Sequence, residues 1–212
     1  MPFDTLHTPD YSPLVVHFTK SSRMVRHDLI GDTDPLYAYR ETPAFDRLKS
    51  IIQNRTIHAS PMTFVPTDPR AVCFTECIWD GLASLSEQYS PYGVVFSKRF
   101  IFDLGGGPAL YLRGDCLRTV GAQIPPQIYP FIAPFDPDAT LREGVRLDWL
   151  QEREWRLPSS LAFQYANIEY VLVSSVADAT SLVHLIGAQH LPEDKVIPME
   201  VYRKIRHAWR ER

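Results

Sequence analysis

The chain has 212 residues, 45% of them hydrophobic and 22% charged, with a formal net charge of −3. That length buries a sizeable core without staples, and that charge leaves no electrostatic footprint for nucleic acid or an anionic membrane, so nucleic acid is disfavoured as a partner and stays open only as an acceptor of a transferred group. The cysteines Cys73, Cys77 and Cys116 are odd in number and form no zinc-type double pair, and neither the N-terminus nor any later run carries the apolar core of a signal peptide or the ~18 residues of a spanning helix; reduced thiols, no tightly held metal, no membrane segment and a cytoplasmic location are the expectations.

In chain order, residues 1–12 read as an N-terminal extension to one α+β domain that fills 1–212. "PLVVHFTK" (13–20) is a β-branched apolar strand in which His17 and Thr19, two apart, share a face. Residues 24–39 read as a loop. In "TPAFDRLKSIIQNR", Phe45, Leu48, Ile51 and Ile52 recur at helical spacing behind Thr42 as N-cap and Pro43 at the first helical position. A short strand "TIHAS" and a proline-rich loop (61–70) lead to the strand "AVCFTE" and the helix "CIWDGLASLSEQY". "YGVVFSKRFIFDLG" reads as a long strand or bent pair, forming a hairpin with "GGPALYLR" across a three-glycine turn. The proline-rich aromatic stretch 122–138 is too apolar to wander in water and should pack over the sheet as a cover. A helix "TLREGVRLDWLQ", a strand "REWRLP", a strand "IEYVLVSS", a helix "ADATSLVHLIGAQH" and a basic C-terminal helix (198–212) complete the chain. The hairpins and short spacings do not give a βαβ rhythm, so the sheet should be mixed and mainly antiparallel.

Few motifs carry chemistry. "GGGP" (105–108) precedes a strand, not a helix, and lacks the lysine of a phosphate loop. Cys73 sits among apolar neighbours and reads as an inert thiol. His17 is either a core histidine satisfied by a backbone partner or, with Thr19, a donor to a polar ligand. In "EREWR" (152–156), a strand would put Glu152 and Glu154 on one face with Arg156 returning beside them. That cluster either knits a sheet edge as an ion pair or fixes a dry carboxylate against an oxocarbenium-like cation.

The order of "VVHFTK", "RLKSIIQNRTIHAS", "AVCFTE", "YSPYGVVFSK" and "EREWR" resembles the AbiGi-type abortive-infection proteins of phage-defence and toxin-antitoxin loci over residues 14–160. More weakly, it resembles ADP-ribosyltransferase-like folds, which open on a strand with an NAD-gripping histidine or arginine and place a catalytic glutamate, often in E-x-E, on a late strand. The resemblance implies NAD as co-substrate, His17 and Thr19 against its ribose or nicotinamide side, Tyr92 or Ser97 lining the nicotinamide pocket, and Glu154 as the catalytic glutamate with Glu152 before it. It also implies a cognate toxin or antitoxin partner. The other open reading is a non-catalytic antitoxin or sensor, with the same residues structural.

Overall fold

The computed structural model describes residues 11–20, 33–34, 36–39, 41–62, 69–77, 79–140, 146–147 and 150–210. Its strands are β1 (Leu14–Phe18), β2 (Thr56–Ile57), β3 (Ser60–Pro61), β4 (Arg70–Glu76), β5 (Gly93–Ser97), β6 (Gly107–Pro108), β7 (Leu110–Arg113), β8 (Ile132–Thr140), β9 (Arg146–Leu147), β10 (Trp155–Leu157), β11 (Leu161–Ala162), β12 (Tyr170–Val173) and β13 (Val196–Pro198). Its helices are α1 (Ala44–Asn54), α2 (Trp79–Gln88), α3 (Lys98–Asp103), α4 (Gly114–Val120), α5 (Val176–Ile186) and α6 (Met199–Arg210).

The main sheet runs β13-β12-β5-β1-β4-β10-β6, with β3 added beside β4. Only β12 and β13 are parallel in it, so the class is α+β with a mixed, mainly antiparallel sheet. The central β1 is apolar on both faces because both are covered. On one side Val15, Phe74, Val94 and Phe96 pack with Leu48 and Ile52 of α1 and Leu182 of α5. On the other, Val16, Phe18 and Val95 meet Leu82 and Leu85 of α2 and Met199 of α6. A third cluster joins Met62 and Ala71 to Tyr129 and Ile132, which is the proline-rich stretch lying as a cover on one end of the sheet. Among the described residues no helix is long and apolar enough to cross a membrane.

Several sequence expectations are corrected. The long strand expected after Tyr92 ends at Ser97, whose hydroxyl accepts from the Phe100 amide and caps α3; a capped six-residue helix buries Ile101 instead. The expected hairpin is absent: β6 pairs with β10, and β7 runs parallel to β8. Gly106 permits the first pairing, since a Cβ there would lie 2.9 Å from the Ile101 carbonyl and 3.1 Å from that of Arg156. Pro43, not Thr42, occupies the N-cap of α1. Where a helix was expected over 140–151, Arg146–Leu147 is a strand on β8 and Leu150–Glu152 a single 3-10 turn, while residues 141–145 and 148–149 lie outside the described residues. The helix after β12 stops at Gly187 (φ 90°), short of His190.

Candidate functional site

β1 pairs with β4 at Val15 and Val16, yet with β5 over five residues from Leu14 to Phe18. Past Val16 the β1–β4 side is held by a side chain: His17 Nδ1 lies 2.9 Å from the Cys73 carbonyl oxygen. A carbonyl only accepts, so Nδ1 carries the proton and Nε2 keeps its lone pair. The ring also meets Phe74 edge-on at 6.0 Å. Burial lowers the His17 pKa to about 4, opposed by the Cys73 bond and assisted by the Lys20 charge, so the imidazole is neutral at pH 7.

Thr19 does share the His17 side, as the spacing of two predicts, but its hydroxyl donates to the Ala44 carbonyl at 2.9 Å and thereby fastens the start of α1 to the sheet. Tyr92, just before β5, stacks on Phe45 at 5.1 Å and donates to Asp178 Oδ2 at 3.1 Å. Ser97 stands at the far end of β5, paired with Leu14, as the α3 cap. The structure therefore does not bring Ser97 to His17, and it gives the hydroxyls of Thr19, Tyr92 and Ser97 partners within the fold.

The acidic stretch is built differently from an alternating strand. Glu152 ends a 3-10 turn, Arg153 is left-handed (φ 43°), and β10 begins only at Trp155. A non-glycine residue at positive φ costs about 1 kcal/mol or more and persists only where its surroundings enforce it. Here the Arg153 guanidinium lies 3.8 Å from the buried Glu76 carboxylate, which also holds Lys98 at 3.0 Å. The kink does what a straight strand would have done, bringing Glu152 and Glu154 close enough for one charge to act on the other.

The two glutamates differ in what holds them. Glu154 is 8% exposed. Its Oε2 accepts from Arg156 Nη2 at 2.7 Å, and its amide donates to the Tyr111 hydroxyl at 3.2 Å; the nearby Cys73 thiol donates to Met62 Sδ at 3.9 Å. Arg156 is itself 1% exposed and spends Nη1 on the carbonyls of Ile132 (2.6 Å) and Pro130 (3.3 Å). The proline-rich cover thus supplies acceptors that fix the cation, which fixes the carboxylate. Glu152, 7% exposed, accepts from the Tyr89 hydroxyl, and Lys20 Nζ stands 4.9 Å over the Tyr89 ring. Burial first, then the Glu154 charge, push the Glu152 carboxyl up to about 7 against the opposing pull of Lys20 and Arg156. Burial and the Glu154 charge also raise the Cys73 thiol well above the usual range, so it is a protonated donor and not a nucleophile.

Pleat parity separates the two groups. Arg156 pairs with Cys73 and Trp155 with Phe74, while Val16 pairs with Thr75 and His17 with Val94; directly paired residues share a face. His17 therefore leaves the sheet on the Val15–Phe74 side, and Glu154 and Arg156 on the Cys73–Thr75 side. They meet through β4, where the Cys73 carbonyl binds His17 on one face and the Glu154 charge acts on the Cys73 thiol on the other. Lys20 exerts charge on both His17 and Glu152. Sequence reasoning missed Lys20, Tyr89 and Tyr111, and gave Cys73 no role; Tyr89 and Glu152 are 63 positions apart, and no local pattern links them.

No protein-family model matches the chain, and no curated protein does, so the abortive-infection resemblance gains no support there. Among solved structures, the chain is similar to Thermus sp. 2.9 DarT in complex with NAD+, at 14% identity and TM-score 0.37, covering 82% of this chain and 88% of that one. It is also similar to the same protein in complex with carba-NAD+, at 16% identity and TM-score 0.38, covering 86% and 93%. Both values describe a loose agreement.

Proposed function

We propose that the chain is an ADP-ribosyltransferase-like protein of the defence or toxin-antitoxin kind, using NAD as co-substrate and transferring ADP-ribose to an acceptor. One observation carries the reading: two buried carboxylates side by side, one ion-paired to the buried Arg156, the other pushed up to about 7. Paired acids held in different surroundings are suited to divided labour. The bond that breaks joins nicotinamide to the ribose C1′, and its electron pair leaves with nicotinamide. Positive charge then spreads over C1′ and the ring oxygen, and the fixed Glu154 carboxylate stabilises it without solvent reorganisation. The acceptor atom bonds C1′ while Glu152 takes its proton, a task for which a pKa near the working pH is suited. His17, which leaves the opposite face of the sheet and is tied to the Cys73 carbonyl, has no contact with the substrate in this proposal. Tyr92, Ser97 and Thr19, named by the resemblance for NAD contacts, have no part in the proposal beyond holding the frame. DarT was solved with NAD+ bound, and the ligand proposed for this chain is the same.

A second reading, a non-catalytic antitoxin or sensor that binds a protein partner, is favoured by the internal ties of the cluster: Arg156 joins Glu154 to the main-chain carbonyls of Pro130 and Ile132 as a structural brace would. The deciding experiment measures NAD affinity calorimetrically and nicotinamide release on wild type and Glu154→Gln. The transferase reading expects turnover to fall about a hundredfold or more with affinity nearly unchanged, because the charge acts in the transition state. Unchanged turnover ends the catalytic assignment, and absence of NAD binding by the wild type favours the interaction module.

A further inference from the structure

We propose that Tyr89 is a positioning residue for Glu152: its hydroxyl fixes the orientation of the carboxylate and favours its anion, and Lys20 over the ring sharpens that hydroxyl as a donor. The proposal rests on the transferase reading for the use made of Glu152, and on geometry for the contact. Tyr89 follows the last turn of α2 and is clamped from two sides. Phe18 of β1 stacks on it at 5.9 Å and 24° between planes, and its amide donates to the Leu85 carbonyl at 2.9 Å. The ring is thus held by the sheet and by the helix end, and its hydroxyl lands on Glu152 Oε1. A carboxylate on a 3-10 turn beside a left-handed residue lacks the repeated backbone restraint of a strand, so the contact from a clamped phenol supplies its orientation.

The electrostatics agree. The groups acting on Glu152 come from three places: Glu154 and Arg156 from β10 and the residue before its start, Lys20 from the chain just beyond β1, and Tyr89 from the end of α2. Burial and Glu154 favour the protonated acid; Lys20 and Arg156 favour the anion. An O–H donated to a carboxylate also favours the anion, and a cation over a phenol ring draws electron density from it, which strengthens the O–H as a donor. Tyr89 and Lys20 together therefore oppose the desolvation that would otherwise leave Glu152 protonated, and unable to take a proton, at neutral pH.

The test uses Tyr89→Phe, which keeps the stacked ring and removes only the hydroxyl, and Lys20→Gln, whose side chain is exposed. In protein labelled with 13C at the glutamate carboxyls, with Glu152→Gln identifying the resonance, the Glu152 midpoint should rise by about one pH unit in Tyr89→Phe. A smaller rise is expected in Lys20→Gln. The acid limb of the turnover profile should move by the same amount, leaving turnover about tenfold lower at pH 6 and little changed at pH 9. A loss of packing alone would lower turnover equally at all pH values. A Glu152 midpoint unmoved in both variants overturns the proposal, as does a uniform loss across pH. A midpoint that moves in a protein with no NAD turnover supports the Tyr89 contact and overturns the transferase reading, so the two failures are separate results.

Discussion

His17 and Glu152 stand on opposite sides of the same sheet, and burial is the first cause of the pKa shift in each, yet it moves them in opposite directions: the histidine down to about 4, the glutamate up to about 7. Both shifts disfavour the charged form. On the His17 side that bias has no opponent strong enough to matter; the ring is neutral, one nitrogen is tied to a backbone carbonyl, and its neighbours Thr19 and Tyr92 use their hydroxyls within the fold. On the Glu152 side the same desolvation is contested by Lys20, Arg156 and a donated hydroxyl, and its neighbour Glu154 stays tied to a buried guanidinium. One side of β4 is thus a settled interior and the other a balance of large opposed effects. The proposed chemistry is assigned to the contested side, because there a small change in surroundings changes a protonation state near pH 7.

The sharpest way to break the comparison is to remove the cation from the contested side. Arg156→Leu leaves Glu154 as a buried charge without its ion-pair partner, and stability should fall by about 3–5 kcal/mol. The double variant Arg156→Leu with Glu154→Leu removes both charges and should recover most of that loss while leaving no turnover. A single variant as stable as wild type would show that Glu154 already sheds its charge in the folded chain, and the fixed-anion role would go with it.

The next two variants set the two sides against each other through pH. For Glu152 the folded pKa lies above the ordinary value of 4.5, so the folded state binds the proton more tightly than the unfolded chain. The stabilisation is fully present below pH 4.5 and is lost as pH rises through about 7. Glu152→Gln should therefore gain on wild type as pH rises, by at most about 3 kcal/mol at pH 9, with no advantage near pH 4. For His17 the folded pKa lies below 6.5, so the unfolded chain takes the proton first. Stability is fully present above pH 6.5 and is lost as pH falls toward 4. His17→Gln, whose amide can still donate to the Cys73 carbonyl, should lose less than wild type across that window, by a difference of up to about 2 kcal/mol, discounted because part of the residue faces solvent. Melting temperatures from pH 4 to 9 measure both. Parallel curves for either variant and the wild type would remove that side from the comparison.

These contrasts also explain what the sequence disclosed. β1, α1, β4, α2, β12 and α5 are legible because each is a punctuated apolar run or a capped helix whose signal is local. "FSKRFIFD" misleads because a six-residue helix is too short to display a period, and its aromatic residues fit a strand equally well. At the site, "EREWR" marks the acid pair, but the reason the acids meet is a left-handed Arg153, which no residue type there announces. The partners that decide the charge of Glu152 arrive from Lys20 and Tyr89, and those that fix Arg156 are main-chain carbonyls of Pro130 and Ile132. Carbonyls have no sequence signature at all. The resemblance pointed to Tyr92 and Ser97 by their place on a middle strand, whereas the pleat and the α3 cap decide what their hydroxyls do.

The smallest expected effect tests the settled side. Tyr92→Phe keeps the stack on Phe45 and deletes one hydrogen bond to Asp178, whose carboxylate still accepts from the Ser175 amide at 3.2 Å as part of the α5 cap. Because that acceptor is not left bare, the cost should be a single net hydrogen bond, about 0.5–1.5 kcal/mol. Since Tyr92 titrates only above its ordinary value of 10, the loss should be flat from pH 5 to 8, in contrast to the sloping curves of the Glu152 and His17 variants. NAD affinity and nicotinamide release should be those of wild type. Should Tyr92→Phe instead weaken NAD binding several-fold at unchanged melting temperature, the tyrosine touches the ligand, and the division between a settled and a contested side of the sheet would have to be redrawn around β5.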